Sequence, residues 1–182
     1  MKVLRFTCTM LSISLMSVGF SFAGPDAFTP GPQIENFGEN AKVNQSKAVS
    51  PNAKFKVAFD VGKPAEEGKL NRSFNSLARF INMHVAAGVK PENIELALVV
   101  HGKAANDLLH NKARAAKELV ENPNLPLLQA LLDNNTQVFL CGQTAAYYGI
   151  KSEDLYQGVQ MSLSAMTAHA LLQQEGYTVN PF

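Results

Sequence analysis

Residues 137–149 read Gln-Val-Phe-Leu-Cys-Gly-Gln-Thr-Ala-Ala-Tyr-Tyr-Gly. Four residues suited to a buried strand run straight into Cys141. Gly142 then allows a sharp turn, and Gln143 to Tyr148 reads as one or two helical turns closed by Gly149. A strand that turns directly into a helix is the unit of an α/β fold, and the rest of the chain can be tested for its repetition. A cysteine at such a junction sits where unpaired backbone N–H groups point outward, which favours the thiolate. The same residue also reads as a small buried hydrophobe, the common fate of a free cysteine. Reactivity in the native state separates the two.

Upstream, Ile94 to Val100 is an almost unbroken apolar run ending at His101-Gly102, as expected of a central parallel strand covered on both faces. Lys54 to Asp60 alternates, with Phe55, Val57 and Phe59 on one face, and opens the folded domain as a strand. The stretch Gly62 to Leu70 has the look of a phosphate loop. It fails as one, because five residues separate Gly62 from Gly68 and Leu70 stands where a hydroxyl must hold magnesium. A helix is predicted from about Leu70 to Ala87 and is stopped by Gly88. A second helical pattern covers 103–121. Asn124 is expected to cap a third, with Pro126 in its first turn. Downstream, Val159 to Leu163 suits a fourth strand, Ser164 to Glu175 a helix, and Tyr177-Thr-Val179 an edge strand. Strands alternating with helices predict a three-layer α/β/α fold with a mostly parallel sheet of four to five strands.

The ends differ from this core. Lys2 and Arg5 precede an apolar stretch and the small-x-small site Ser21-Phe-Ala23, so residues 1–23 read as a secretory signal peptide. Residues 24–53 hold Pro25, Pro30, Pro32 and Pro51 and read as an extended arm, with 54–182 as the α/β domain. Signal removal would take two of the 16 basic residues, leaving 14 against 15 acidic ones. A mature charge near −1 gives no footprint for nucleic acid or for an anionic membrane. Removal would also take Cys8 and leave Cys141 as the one cysteine of a periplasmic or secreted protein, with no internal disulfide.

Right-handed crossovers would place the strand carboxyl ends on one edge, where open α/β sheets bind ligands. His101 and Cys141 both fall there, and a Cys–His pair is the minimal equipment of an activated sulfur nucleophile. Gly102 and Gly142 allow close backbone approach by a ligand. A structural histidine bonded to backbone at the strand end is the alternative for His101. His84 lies on the apolar stripe of the first helix and reads as a core histidine. His110 sits in a polar stretch and reads as solvated, whereas His169 could face an interface. No spacing resembles a zinc site, no dinucleotide fingerprint is present, and neither metal nor cofactor is expected.

Lys56-Val-Ala-Phe-Asp60, Asn82-Met-His84, Val99-Val-His-Gly102, Val138-Phe-Leu-Cys-Gly-Gln-Thr144 and Gly176-Tyr-Thr-Val-Asn-Pro-Phe182 together resemble the exported branch of the DsrE/DsrF-like family. That resemblance covers essentially all of the mature chain. It implies a YchN-like fold, a trimer or hexamer, and sulfur carried as a persulfide on Cys141, with a sulfur donor or acceptor protein as partner. Within the Cys-Gly-Gln-Thr turn, Gln143 and Thr144 join Gly102 and Gly142 as candidate ligand-binding residues. Two function classes stay open. One is a sulfur carrier or sulfurtransferase-like protein, and the other is a non-catalytic oligomeric module that binds a small ligand and buries its cysteine.

Overall fold

The computed structural model describes residues 24–180. The expected signal peptide and the last two residues of the C-terminal motif lie outside the described residues. Five strands form one wholly parallel sheet: β3 (Phe55–Val61), β4 (Ile94–Val100), β5 (Gln137–Cys141), β6 (Val159–Ser162) and β7 (Thr178–Asn180). Their order across the sheet is β6-β5-β4-β3-β7. The predicted fold class holds, with five strands.

Side-chain parity explains the layers. On β4, Ile94, Leu96, Leu98 and Val100 enter a large core with Phe74, Leu77, Leu128 and Leu131. Those partners come from α1 (Arg72–Ala86) and α3 (Leu125–Asp133). Ala97 and Val99 point the other way, into a smaller cluster with Ala168 and Leu172 of α5 (Ala165–Gln174). The chain steps from β3 through β6 in one direction with its helices on one face. It must then return across the sheet to reach β7. Keeping the same crossover hand while reversing direction puts α5 on the opposite face.

Local signals set most boundaries. The carboxamide of Asn71 accepts the N–H groups of Ser73 and Phe74, so α1 begins at Arg72, two residues later than the pattern alone suggests. Gly88, at φ +94°, carries the chain away from its far end. The helix expected over 103–121 is corrected to a 3₁₀ stretch, Gly102–Leu108, followed by a short α2, Asn111–Ala115. Leu109 breaks it by forming an antiparallel bridge with Leu155, and tertiary pairing here outweighs helical periodicity.

Asn124 is a second correction. Its side chain makes no cap bond; the oxygen accepts the Asn71 N–H at 2.6 Å. The bond belongs to a buried polar network beneath the carboxyl edge of the sheet. Asp107, 4% exposed, accepts the N–H of Ala65 and the amide of Asn71, each at 2.8 Å. Burial pushes the Asp107 carboxyl above its ordinary range despite those bonds.

The arm is held against the domain. Its short strands β1 (Phe28–Thr29) and β2 (Asn40–Ala41) pair antiparallel, and Ile34 is buried in the main core. Asn75, Arg79 and Asn82 form a polar stripe on α1, and their side chains bond the backbone of Gly38, Glu39 and the 33–38 stretch.

Candidate functional site

The sheet's register collects the reactive residues. Val100 lies opposite Leu140, and His101 continues β4 in extended conformation (φ −145°, ψ −178°). One step beyond that pair, His101 therefore stands beside Cys141 on the neighbouring strand. Asp60 lies opposite Val99, a residue of the α5-side cluster. Alternation then puts Asp60, His101 and Cys141 on the face that α5 covers, at the carboxyl ends of three adjacent strands. The sequence anticipates this juxtaposition of His101 and Cys141 only if β4 and β5 are neighbours, and they are.

Cys141 is a free cysteine, only 6% exposed. Burial pushes its thiol pKa up. The N–H and hydroxyl of Thr144, then the N–H groups of Ala165 and Gln143, outweigh that and leave the thiol below its ordinary value. Two of these residues belong to α4 (Gly142–Tyr148), and Ala165 opens α5. The Thr144 hydroxyl oxygen accepts the Gly102 N–H at 3.1 Å, which leaves its own proton free for the sulfur. Gly102 thus supports the thiolate at one remove.

Gly142 has its own reason to lack a side chain. A Cβ there would meet the carbonyl oxygen of Ser162 at 2.5 Å and that of Leu163 at 3.1 Å. The β6–α5 connection lies directly on it, and Gln143 Nε2 donates to the Leu163 carbonyl at 3.1 Å. This close packing brings Ala165 to the sulfur and also covers it. Of the four candidate ligand-binding residues, Thr144 and Gln143 surround the thiol, and Gly142 and Gly102 let backbone approach.

The imidazole of His101 turns away from the sulfur and towards β3. Its Nε2 lies 3.1 Å from Asp60 Oδ2, and the ring packs over Gly62, where a Cβ would come within 2.6 Å of it. The other carboxylate oxygen, Oδ1, lies 2.8 Å from Nε2 of His169 on α5. Burial raises the Asp60 carboxyl, and the bonds from His169 and then His101 more than offset it, holding the group below the usual carboxylate range. Its stabilising contribution is complete above the ordinary Asp value and is lost as pH falls through the lowered one.

His169, which the sequence allows at an interface, bonds Asp60 within the chain. Periodicity does not show this link, because a bond spanning 109 residues leaves no local trace. His84 is a core histidine as expected, with Nδ1 2.7 Å from the Phe80 carbonyl and its ring against Phe55 and Phe80. His110 is not simply solvated. Nδ1 accepts the Ala113 N–H at the start of α2, and Nε2 donates to the Glu153 carbonyl. Among the described residues no cluster of His, Cys, Asp and Glu forms a metal site.

Comparison with known proteins adds a family and a fold. The sequence profile of the DsrE/DsrF-like family matches residues 55–181. No curated protein matches the chain. Solved structures similar to it include two of low sequence identity. One is a protein of unknown function, MTH1491, from Methanobacterium thermoautotrophicum, at 17% identity and a TM-score of 0.52 over 71% of this chain and 100% of that one. The other is the ychN protein from E. coli, at 22% identity and a TM-score of 0.51 over 70% of this chain and 99% of that one.

Proposed function

Because this chain belongs to the DsrE/DsrF-like family, we propose that it is a sulfur carrier or sulfurtransferase-like protein in which Cys141 accepts sulfane sulfur. The observation that carries this reading is the thiol's surroundings. Two N–H groups and a hydroxyl from α4, with one N–H from α5, favour the thiolate over the thiol. The Cys141 thiolate attacks the terminal sulfur of a donor persulfide R–S–SH. A new S–S bond forms on Cys141, the donor's S–S bond breaks, and R–S⁻ leaves with the electron pair. The persulfide keeps its proton, and no outside oxidant or reductant is needed. His101 is proposed as the helper of Cys141 from the neighbouring strand, acting with its imidazole held by Asp60. The same donors that hold the thiolate suit the terminal sulfur of a persulfide anion.

We read the protein as exported, on the strength of the basic start, apolar run and Ser21-Phe-Ala23 site. Mass spectrometry of protein recovered from its native host tests export and loading together. A chain beginning at Gly24, with a thiol-reversible addition of about 32 Da on Cys141, is expected. Cys141→Ser should remove the addition without unfolding the protein. A retained Met1 would overturn export, and an unmodified Cys141 that also refuses sulfur from polysulfide would overturn the carrier reading.

The burial of Cys141 favours a second reading, the small-ligand-binding module, in which the thiol is part of the core. A thiol silent to iodoacetamide until denaturant is added decides for it.

We also read the chain as a homo-oligomer, a trimer or hexamer. Neither 134–150 nor 155–174 contains a Lys, Arg, Asp or Glu. Tyr147, Leu163 and Met166, from these stretches, are among the most exposed large apolar side chains. An uncharged face studded with exposed apolar groups suits contact with a second copy. Light scattering should give a multiple of the protomer mass, and a monomer mass at all concentrations would end this reading.

A further inference from the structure

We propose that Asp60 and His169 are further members of the Cys141 site, with Asp60 the positioning residue that holds the imidazoles of both His101 and His169. The inference rests on Cys141 being the sulfur acceptor. A carboxylate can only accept, so each imidazole bonded to Asp60 must present Nε2–H, and both rings are locked in one tautomer. Each ring is fixed to a different wall of the thiol's surroundings. His169 lies one helical turn beyond Ala165, whose N–H favours the thiolate. His101 immediately precedes Gly102, whose N–H holds the Thr144 hydroxyl oxygen. Asp60 therefore ties β3 at once to the start of α5 and to the turn after β4.

Asp60 stands where packing alone would favour an apolar residue. Its strand position is the last on the α5 side of β3, where an apolar residue would extend the cluster of Ala58, Val99 and Ala168. His169 Nδ1 is moreover buried with no hydrogen-bond partner among the described residues, a cost that a residue chosen for packing would not carry. The elements that carry the site hold few titratable side chains besides the thiol: Lys56 and Asp60 on β3, Glu95 on β4 with His101 and Lys103 just after it, Tyr147 and Tyr148 on α4, and His169 on α5, while β6 carries none.

The sign of one substitution separates positioning from simple charge. Asp60→Asn removes a negative charge near the sulfur, and if Asp60 acted only as a charge the thiol would titrate lower. If Asp60 positions the donors, loosening them makes the thiol titrate higher. We expect the pH midpoint of iodoacetamide alkylation to move up and the rate at pH 7 to fall about fivefold. His169→Ala should do the same. His169→Gln, whose amide N–H can take the place of Nε2–H, should restore much of the rate. Imidazole ¹⁵N shifts should show both rings as Nε2–H tautomers in the parent protein and at least one change in Asp60→Asn. If Asp60→Asn does not fold, the His169→Ala and His169→Gln pair decides alone.

An alkylation profile unchanged or moved down in folded Asp60→Asn, or no difference between the two His169 variants, would overturn the inference while sulfur loading by the parent protein still stands. A parent thiol that is inert in the native state would overturn the carrier reading and this inference with it.

Discussion

Asn82→Ala is expected to lower the unfolding free energy by about 3–5 kcal/mol, most of it through release of the N-terminal arm. Asn82 is fully buried on α1, and its side chain makes five bonds to arm backbone. Oδ1 accepts the N–H groups of Gln33 and Ile34, and Nδ2 donates to the carbonyls of Ile34, Phe37 and Gly38. Alanine removes all five and leaves the arm groups facing apolar neighbours, where an unmet donor or acceptor costs about 1–3 kcal/mol. The arm can limit that loss by peeling into water, but it then gives up the burial of Ile34. Asn82→Asp should be severe too, because its second oxygen would face three carbonyl oxygens. Urea unfolding measures the loss, and limited proteolysis locates it, with cuts expected within 24–53 before any in the domain. An unchanged midpoint with a protected arm would show that Asn82 does not hold it.

Gly142→Ala is expected to damage both stability and the thiol. The new Cβ would meet two carbonyl oxygens of the β6–α5 connection, at 2.5 and 3.1 Å. Backbone cannot rotate aside as a side chain can, so that connection must shift. We expect a loss of about 2–4 kcal/mol, which exceeds the roughly 0.4–1 kcal/mol that alanine contributes by restricting the unfolded chain. The shift also breaks the Gln143–Leu163 bond and draws the Ala165 N–H from the sulfur. The thiol should then be more exposed and titrate higher, a pairing that mere loss of stability does not produce. Thermal unfolding and the pH profile of alkylation read the two effects. A variant as stable as its parent with the same profile would mean that the close approach at Gly142 is relaxed without consequence.

Much of the fold is legible before any coordinates. Ile94 to Val100 is apolar at nearly every position because β4 is covered by helices on both faces. Val138-Phe-Leu-Cys-Gly places a strand end and a turn because residues adjacent in sequence decide both. Gly88 and Gly149 end helices at positive φ, as glycine is suited to do. The candidacy of Cys141 follows from this local order, as do its two readings, since both a strand's burial and a turn's N–H groups can be read there.

The remainder depends on residues that meet only after folding. Leu109 leaves a helical pattern for Leu155, and Asn124 leaves a cap position for Asn71. His101 turns to Asp60 across 41 residues, and His169 reaches the same carboxylate across 109. The fourth donor to the thiol, Ala165, arrives because the β6–α5 connection rests on Gly142. Periodicity and turn chemistry act over a few residues and so mark elements and their ends. The direction of a polar side chain is settled by whichever partner desolvation leaves within reach, and that partner is known only once the layers have closed.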